Sequence, residues 1–179
     1  FKCYLIDDMS TDNSCQIIKQ ITRDDSRFEL IENKEKKYAL GNIAHILKNK
    51  KIQKQDIVIL MDGDDWLSST AVLSRLNEEY VNDVSLTYGS YIYNPTGQKG
   101  VEPSKYSEDV IKNNSFRKDK WRASHLRSFR YHMWEKLDQK DLKENGKYFE
   151  MAYDQAIMLP LLEMASERSR YIPEGLYVY

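Results

Sequence analysis

Short apolar runs alternate with stretches of helical periodicity through the first half of this chain, and that alternation restricts the fold more than any other feature. Lys2-Cys3-Tyr4-Leu5-Ile6, Phe28-Glu29-Leu30-Ile31-Glu32 and Ile57-Val58-Ile59-Leu60-Met61 read as strands. Between and after them, helical faces recur. Cys15, Ile17, Ile18 and Ile21 form the first; Leu40, Ile43, Ala44 and Leu47 lie within a helix expected from Ala39 to Lys50; Val72, Leu73, Leu76 and Tyr80 lie within one expected from Ala71 to Val81. Such alternation predicts an α/β fold, with a mixed but mainly parallel sheet, right-handed crossovers and flanking helices.

The pattern changes in the second half. Val84 to Tyr93 is rich in β-branched and aromatic residues, and Asn94-Pro95-Thr96-Gly97 reads as a turn. Gln98 to Lys120 reads mostly as loop. Helices are expected from Ser128 to Leu137 and from Gln155 to Ala165, with Pro160 bending or interrupting the latter. Tyr171-Ile172-Pro173 and Leu176 to Tyr179 read as short closing strands. A length of 179 residues with 41% hydrophobic and 31% charged content suits a single domain spanning residues 1–179. A net charge of −1 gives no footing for nucleic acid or a polybasic membrane anchor. No apolar stretch approaches the roughly 18 residues of a membrane span. Cys3 and Cys15 have no metal-binding spacing and suggest no disulfide framework, so they read as core thiols of a reducing, cytoplasmic compartment.

Acids gather where two of the strands end. Val58 to Met61 runs straight into Asp62-Gly63-Asp64-Asp65, and Lys2 to Ile6 into Asp7-Asp8-Met9-Ser10-Thr11-Asp12. Packed carboxylates repel and lose hydration, so a cation among them is the natural remedy. A hard divalent ion takes one or two carboxylates and leaves room for phosphates. In open α/β sheets, ligands bind at the carboxyl ends of strands, so both clusters are expected at one edge of one sheet. A plainer reading makes each cluster a helix start, at Ser10 to Asp12 and at Ser68 to Thr70.

Several of these segments resemble family 2 glycosyltransferases with the GT-A (Rossmann-like) fold. Ile6-Asp7-Asp8-Met9-Ser10-Thr11-Asp12 is similar to their V-D-D-G-S-x-D segment, Asp62-Gly63-Asp64 to their D-x-D metal motif, and Tyr153-Asp154-Gln155 to their catalytic-base segment. Lys37 to Asn42 looks like the helix start these enzymes place near the nucleotide. The resemblance implies that the family's first strand and helix precede Phe1. It also implies a nucleotide-sugar-binding half at residues 1–93 and an acceptor and catalytic-base half at 94–179. Met9 stands where glycine is common, and a methionine there is expected to avoid positive φ.

The implied activity is inverting transfer of a sugar from a nucleoside-diphosphate donor, UDP foremost, to a glycan, lipid-linked or protein acceptor. Mn²⁺ or Mg²⁺ would serve as cofactor. Asp64 is the expected metal ligand, with Asp62 on ribose or metal and Asp65 supporting. Asp7 or Asp8 would accept from the base, since a carboxylate suits a uracil N–H, and Lys37 would lie near the nucleotide. Asp154 would take the acceptor's proton; a helix N-cap is the plainer role. Trp121 to Arg127 resembles a segment that approaches the active site in bacterial and giant-virus members, which makes His125 a candidate third ligand or phosphate contact. His45 and His132 read as structural. From Lys112 to Arg130 seven basic residues face one acid, Asp119, as a solvated face or a basic rim. A sugar-nucleotide nucleotidyltransferase and a non-catalytic sugar-nucleotide-binding module are the alternatives. Association with the cytoplasmic face of a membrane stays open.

Overall fold

The computed structural model describes all of residues 1–179. In chain order the elements are β1 (Cys3–Asp7), α1 (Ser14–Thr22), β2 (Phe28–Glu32), α2 (Tyr38–Asn49), β3 (Ile57–Leu60), β4 (Trp66–Leu67), α3 (Val72–Tyr80) and β5 (Leu86–Ile92). There follow α4 (Glu108–Lys112), β6 (Ser124–Arg130), α5 (Tyr131–Glu135), β7 (Lys143–Glu144), β8 (Lys147–Tyr148), α6 (Tyr153–Ala165) and β9 (Ser169–Val178). They form two compact units, one of residues 1–51 and 138–156 and the other of 52–137 and 157–179. The expected division at 93/94 is not found. β5, which ends just before it, pairs with β6 on one side and β9 on the other, so a cut there would split a single sheet. No helix is long and apolar enough to cross a membrane.

In the first unit, β1 and β2 pair in parallel from Cys3↔Phe28 to Asp7↔Glu32, with α1 as the crossover. The periodicity of α1 is only half used: Cys15 and Ile18 are half-buried, while Ile17 and Ile21 are 53% and 75% exposed. By contrast α2 buries Leu40, Ala44, Ile46 and Leu47, each side chain contributing roughly 1.5–3 kcal/mol if aliphatic and large. The helix stops where Lys50 turns extended and its N–H returns to the Ile46 carbonyl at 3.0 Å.

In the second unit, five strands lie in the order β3-β6-β5-β9-β4. β5–β9 is parallel; β3–β6, β5–β6 and β4–β9 are antiparallel. The α/β class is therefore mixed, as expected, but less parallel than the alternation predicts, because β6 inserts antiparallel between β3 and β5. Val72, Leu76 and Tyr80 of α3 pack with Leu126, Ile172, Leu176 and Tyr177 of the sheet. β1 and β3 belong to different hydrogen-bonded sheets, which corrects the single-sheet expectation for the two acid clusters.

Three element boundaries also differ. Ser128 to Arg130 is strand, not helix; only Tyr131–Glu135 is helical. β6 runs through the middle of the sheet, where polar Ser128 is satisfied by Tyr80 Oη at 2.8 Å and Thr87 Oγ1 at 2.6 Å. A strand that buries hydroxyls, a histidine and an arginine has no apolar signature to read. The two expected closing strands are one, β9, whose pairing with β5 slips between Ile172 and Gly175. Pro173, which has no N–H to give, sits inside that slip. Finally, α6 continues through Pro160 without interruption.

Candidate functional site

The acidic turn of the second unit is built by its neighbours in the sheet. After β3 ends at Leu60, Asp62 to Asp65 turn the chain into β4, an edge strand held on β9 with Leu67 opposite Tyr177. Tyr177 is fully buried, and its hydroxyl serves both ends of the turn. It accepts the Asp62 backbone N–H at 3.0 Å and donates to Asp65 Oδ2 at 2.6 Å. Asp64 is exposed and Asp62 half-buried. Apart from Gly63 and its two chain neighbours, nothing lies within 4 Å of where a Cβ on Gly63 would stand, so the face of the turn there is open. Burial pushes the Asp65 carboxyl above the usual range; the Tyr177 hydrogen bond opposes this, while Asp64 and Asp62 add like-charge repulsion. The same burial, with the Asp65 bond, raises the Tyr177 hydroxyl.

Behind Tyr177 stands His125 of β6, its ring stacked on the tyrosine at 4.3 Å between centroids and 8° between planes. Arg127 Nη2 lies 3.1 Å from His125 Nε2. Since a guanidinium has no acceptor, Nε2 must accept. His125 and Arg127 are both buried. The His125 Nε2 is thus engaged by a cation and its ring is packed on Tyr177, and no three His, Cys, Asp or Glu side chains converge as a metal-holding group. The donor set that remains, Asp62 and Asp64, still fits a hard divalent cation, which needs only one or two carboxylates when phosphates complete its shell.

In the first unit, Asp8 anchors the start of α2. Its Oδ1 accepts from Asn33 Nδ2 at 2.8 Å and the Lys37 N–H at 2.9 Å, and its Oδ2 from the Tyr38 N–H at 2.8 Å. Burial alone would raise this carboxyl; the donors from Lys37, Asn33 and Tyr38 outweigh it and hold it below the ordinary value. Asn33 Nδ2 also reaches Asn42 Oδ1 at 2.7 Å. Buried Asp7 accepts the Ser10 N–H at 3.1 Å, and the Ser10 bonds lead in lowering its pKa. Asn42 adds a further side-chain hydrogen bond to Asp8, so the helix start engages most of the roughly four acceptor sites a carboxylate has.

Lys37 lies at the N-cap of α2, its ammonium 3.5 Å from Glu35. The Tyr38 hydroxyl is raised first by the charge of Glu150 and then by its hydrogen bond to that residue. Asp154 is the second residue of α6, so it is not the N-cap its plainer reading made it. Three residues poorly suited to positive φ lie beside these groups: Met9 at 71°, Tyr38 at 56° and Ala152 at 53°. Met9 thus corrects the expectation that methionine would avoid that region.

The remaining expectations resolve simply. His45 Nδ1 lies 3.2 Å from Asn49 Nδ2, and His132 Nδ1 3.3 Å from the Lys54 carbonyl, both structural. Much of the basic segment is spent internally: Arg117 on Glu163 at 2.6 Å, Arg122 on Asp119 at 2.7 Å, and Arg130 on the carbonyls of Gln55, Tyr80 and Val84. A cleft of about 550 Å³ lined by Lys54, Asp83, Arg130, His132, Lys136 and Arg168 touches none of the expected site residues. Tyr38 and Arg127 lie in the segments Lys37 to Asn42 and Trp121 to Arg127 that the sequence points to, though without a role of their own, whereas Tyr177 and Asn33 escape sequence reasoning. Of these two, only Asn33 had a signal: it follows Glu32 as Asp8 follows Asp7, in strands whose alternation already implied parallel pairing.

Residues 1–145 match the profile described as glycosyl transferase family 2. Among solved structures, S. aureus TarS aligns with 99% of this chain and 30% of its own, at a TM-score of 0.69 and 17% identity. S. aureus TarS 1–349 in complex with UDP-GlcNAc aligns with 100% of this chain and 49% of its own, at 0.70 and 15%. The complex of the same fragment with UDP gives 100% and 51%, at 0.66 and 15%. This chain therefore spans from under a third to about half the length of those proteins, and at such identities the likeness shows the fold, GT-A. No curated protein sequence matches.

Proposed function

Because the chain belongs to glycosyl transferase family 2, which its residues 1–145 match, we propose that it moves a sugar from a UDP-linked donor to an acceptor hydroxyl, inverting the anomeric carbon, with Mn²⁺ or Mg²⁺. The observation that carries this reading is the acidic turn itself, which places Asp62, Asp64 and Asp65 within four residues with Asp64 exposed beside the open face at Gly63; the Asp65 carboxyl, raised first by burial, also feels like-charge repulsion from Asp64 and Asp62. Repulsion of that kind favours a bound cation. The UDP complexes of the structurally similar TarS support the choice of nucleotide.

Asp64 and Asp62 would hold the ion. When bound, it would supply positive charge to the diphosphate leaving group. Asp65, tied to Tyr177, keeps the turn in shape. Asp7 or Asp8, as a carboxylate acceptor, suits the base, and the Lys37 ammonium a phosphate. Asp154 would receive the proton of the attacking hydroxyl; a single displacement then inverts the centre. Strained backbone beside Asp8, Lys37 and Asp154 accords with functional groups held in place by their surroundings. Both cysteines are free, and burial with the Asp7 bond pushes the Cys15 thiol up to about 11.

The test is a thermal-shift screen of UDP, GDP and CDP with and without Mn²⁺, in the wild type and in Asp64→Asn. UDP with Mn²⁺ should raise the wild-type Tm most, and Asp64→Asn should lose the metal-dependent share of the shift while melting normally by itself. An equal metal-dependent shift in the variant would remove Asp64 from the site.

A further inference from the structure

We infer that Tyr177 is the positioning residue of the acidic turn: one buried hydroxyl sets where Asp62 and Asp64 present their carboxylates. The inference rests on the donor reading above and adds to it a group from β9, far away in sequence. A turn between two strands has freedom at both ends unless something ties them. Here the tie is one atom. Tyr177 Oη takes the N–H at the first residue of the turn, at 3.0 Å, and gives its proton to the carboxylate of the last, at 2.6 Å. Asp64 lies between those two anchors, exposed, next to the open face at Gly63.

The hydroxyl itself has little freedom. Tyr177 is fully buried, stacked on His125 at 4.3 Å, and His125 is met from behind by Arg127 at 3.1 Å. Tyr91 and Tyr179 flank the histidine at 6.0 Å each. A residue needed only to fill the core would not require the hydroxyl, since phenylalanine has the same ring. A buried tyrosine hydroxyl does need partners, and both partners it has found are in the turn. Groups that orient metal ligands from behind typically change affinity by about 10- to 100-fold when removed.

Tyr177→Phe keeps the ring and the stack and removes only the tie. Two measurements decide the matter. In metal-free protein, hydrogen exchange at the Asp62 amide should quicken, because its acceptor is gone. In calorimetric titrations, UDP affinity with Mn²⁺ should weaken on the order of 10- to 100-fold, while UDP affinity without metal stays near wild type. Should Tyr177→Phe not fold, Asp65→Ala frees the far end of the turn from outside the core, and exchange is then read at the residue 65 amide, which bonds the Asp62 carbonyl at 3.4 Å. Unchanged exchange would overturn the tie. Faster exchange with unchanged Mn²⁺-dependent affinity would overturn the positioning role. A wild type that binds no UDP with Mn²⁺ would instead defeat the donor reading and the positioning role with it, and exchange would then report a purely structural bond.

Discussion

Met9 shows how a residue type can mislead about backbone conformation. Methionine has a Cβ, so the sequence argues for negative φ. The turn after β1 nevertheless needs a left-handed residue there, because Asp7 must take the Ser10 N–H at 3.1 Å. Met9 adopts φ 71° and leaves its side chain 51% exposed. A left-handed non-glycine costs about 1–2 kcal/mol, offset to some extent because glycine is the more costly residue to order. Met9→Gly should therefore stabilise the protein by roughly 1 kcal/mol, raising the Tm by about 2–4 °C. A calorimetric scan showing a lower Tm would mean that the methionine side chain makes a contribution of its own.

Elements that announce themselves by period are legible in the sequence; those that bury polar residues are not. β2 can be read to the residue, and α2 and α3 to within a position at each end, because their apolar spacing is regular. β6 escapes such reading because His125, Arg127 and Ser128 are buried in mid-sheet and break any pattern. The acids Asp7, Asp8 and Asp62 to Asp65 stand out as clusters, yet their supports do not, since Tyr177 and Asn33 come from other strands. The start of α2 offers the test at this scale. Three donors fix the Asp8 carboxylate there, and Asp8→Asn would turn one acceptor into a donor facing them. A loss of about 1–3 kcal/mol is expected near neutrality. Because the folded pKa of Asp8 lies below its unfolded value, its contribution is complete above roughly pH 4 and is lost as pH falls through the folded pKa. Urea melts across pH should show the gap between wild type and Asp8→Asn shrinking below pH ~4; a gap constant into acid would contradict this account of the helix start.

For the whole molecule, Asp8, Lys37 and Asp154 lie in the first unit and the acidic turn from Asp62 to Asp65 in the second. The proposed function assigns these groups to one activity, and Asp154, as its proposed base, is the residue that would separate sugar transfer from mere binding of a sugar nucleotide. Asparagine keeps the size of aspartate but cannot take a proton at neutral pH. The decisive measurement is the rate of UDP release from UDP-sugar under single-turnover conditions with Mn²⁺, in the wild type and in Asp154→Asn, with donor affinity measured alongside. The account predicts that the wild type turns over and that the variant binds donor equally well but reacts slower by about 10² to 10⁴. Wild-type rates in Asp154→Asn, or no UDP release from any UDP-sugar by the wild type, would contradict it.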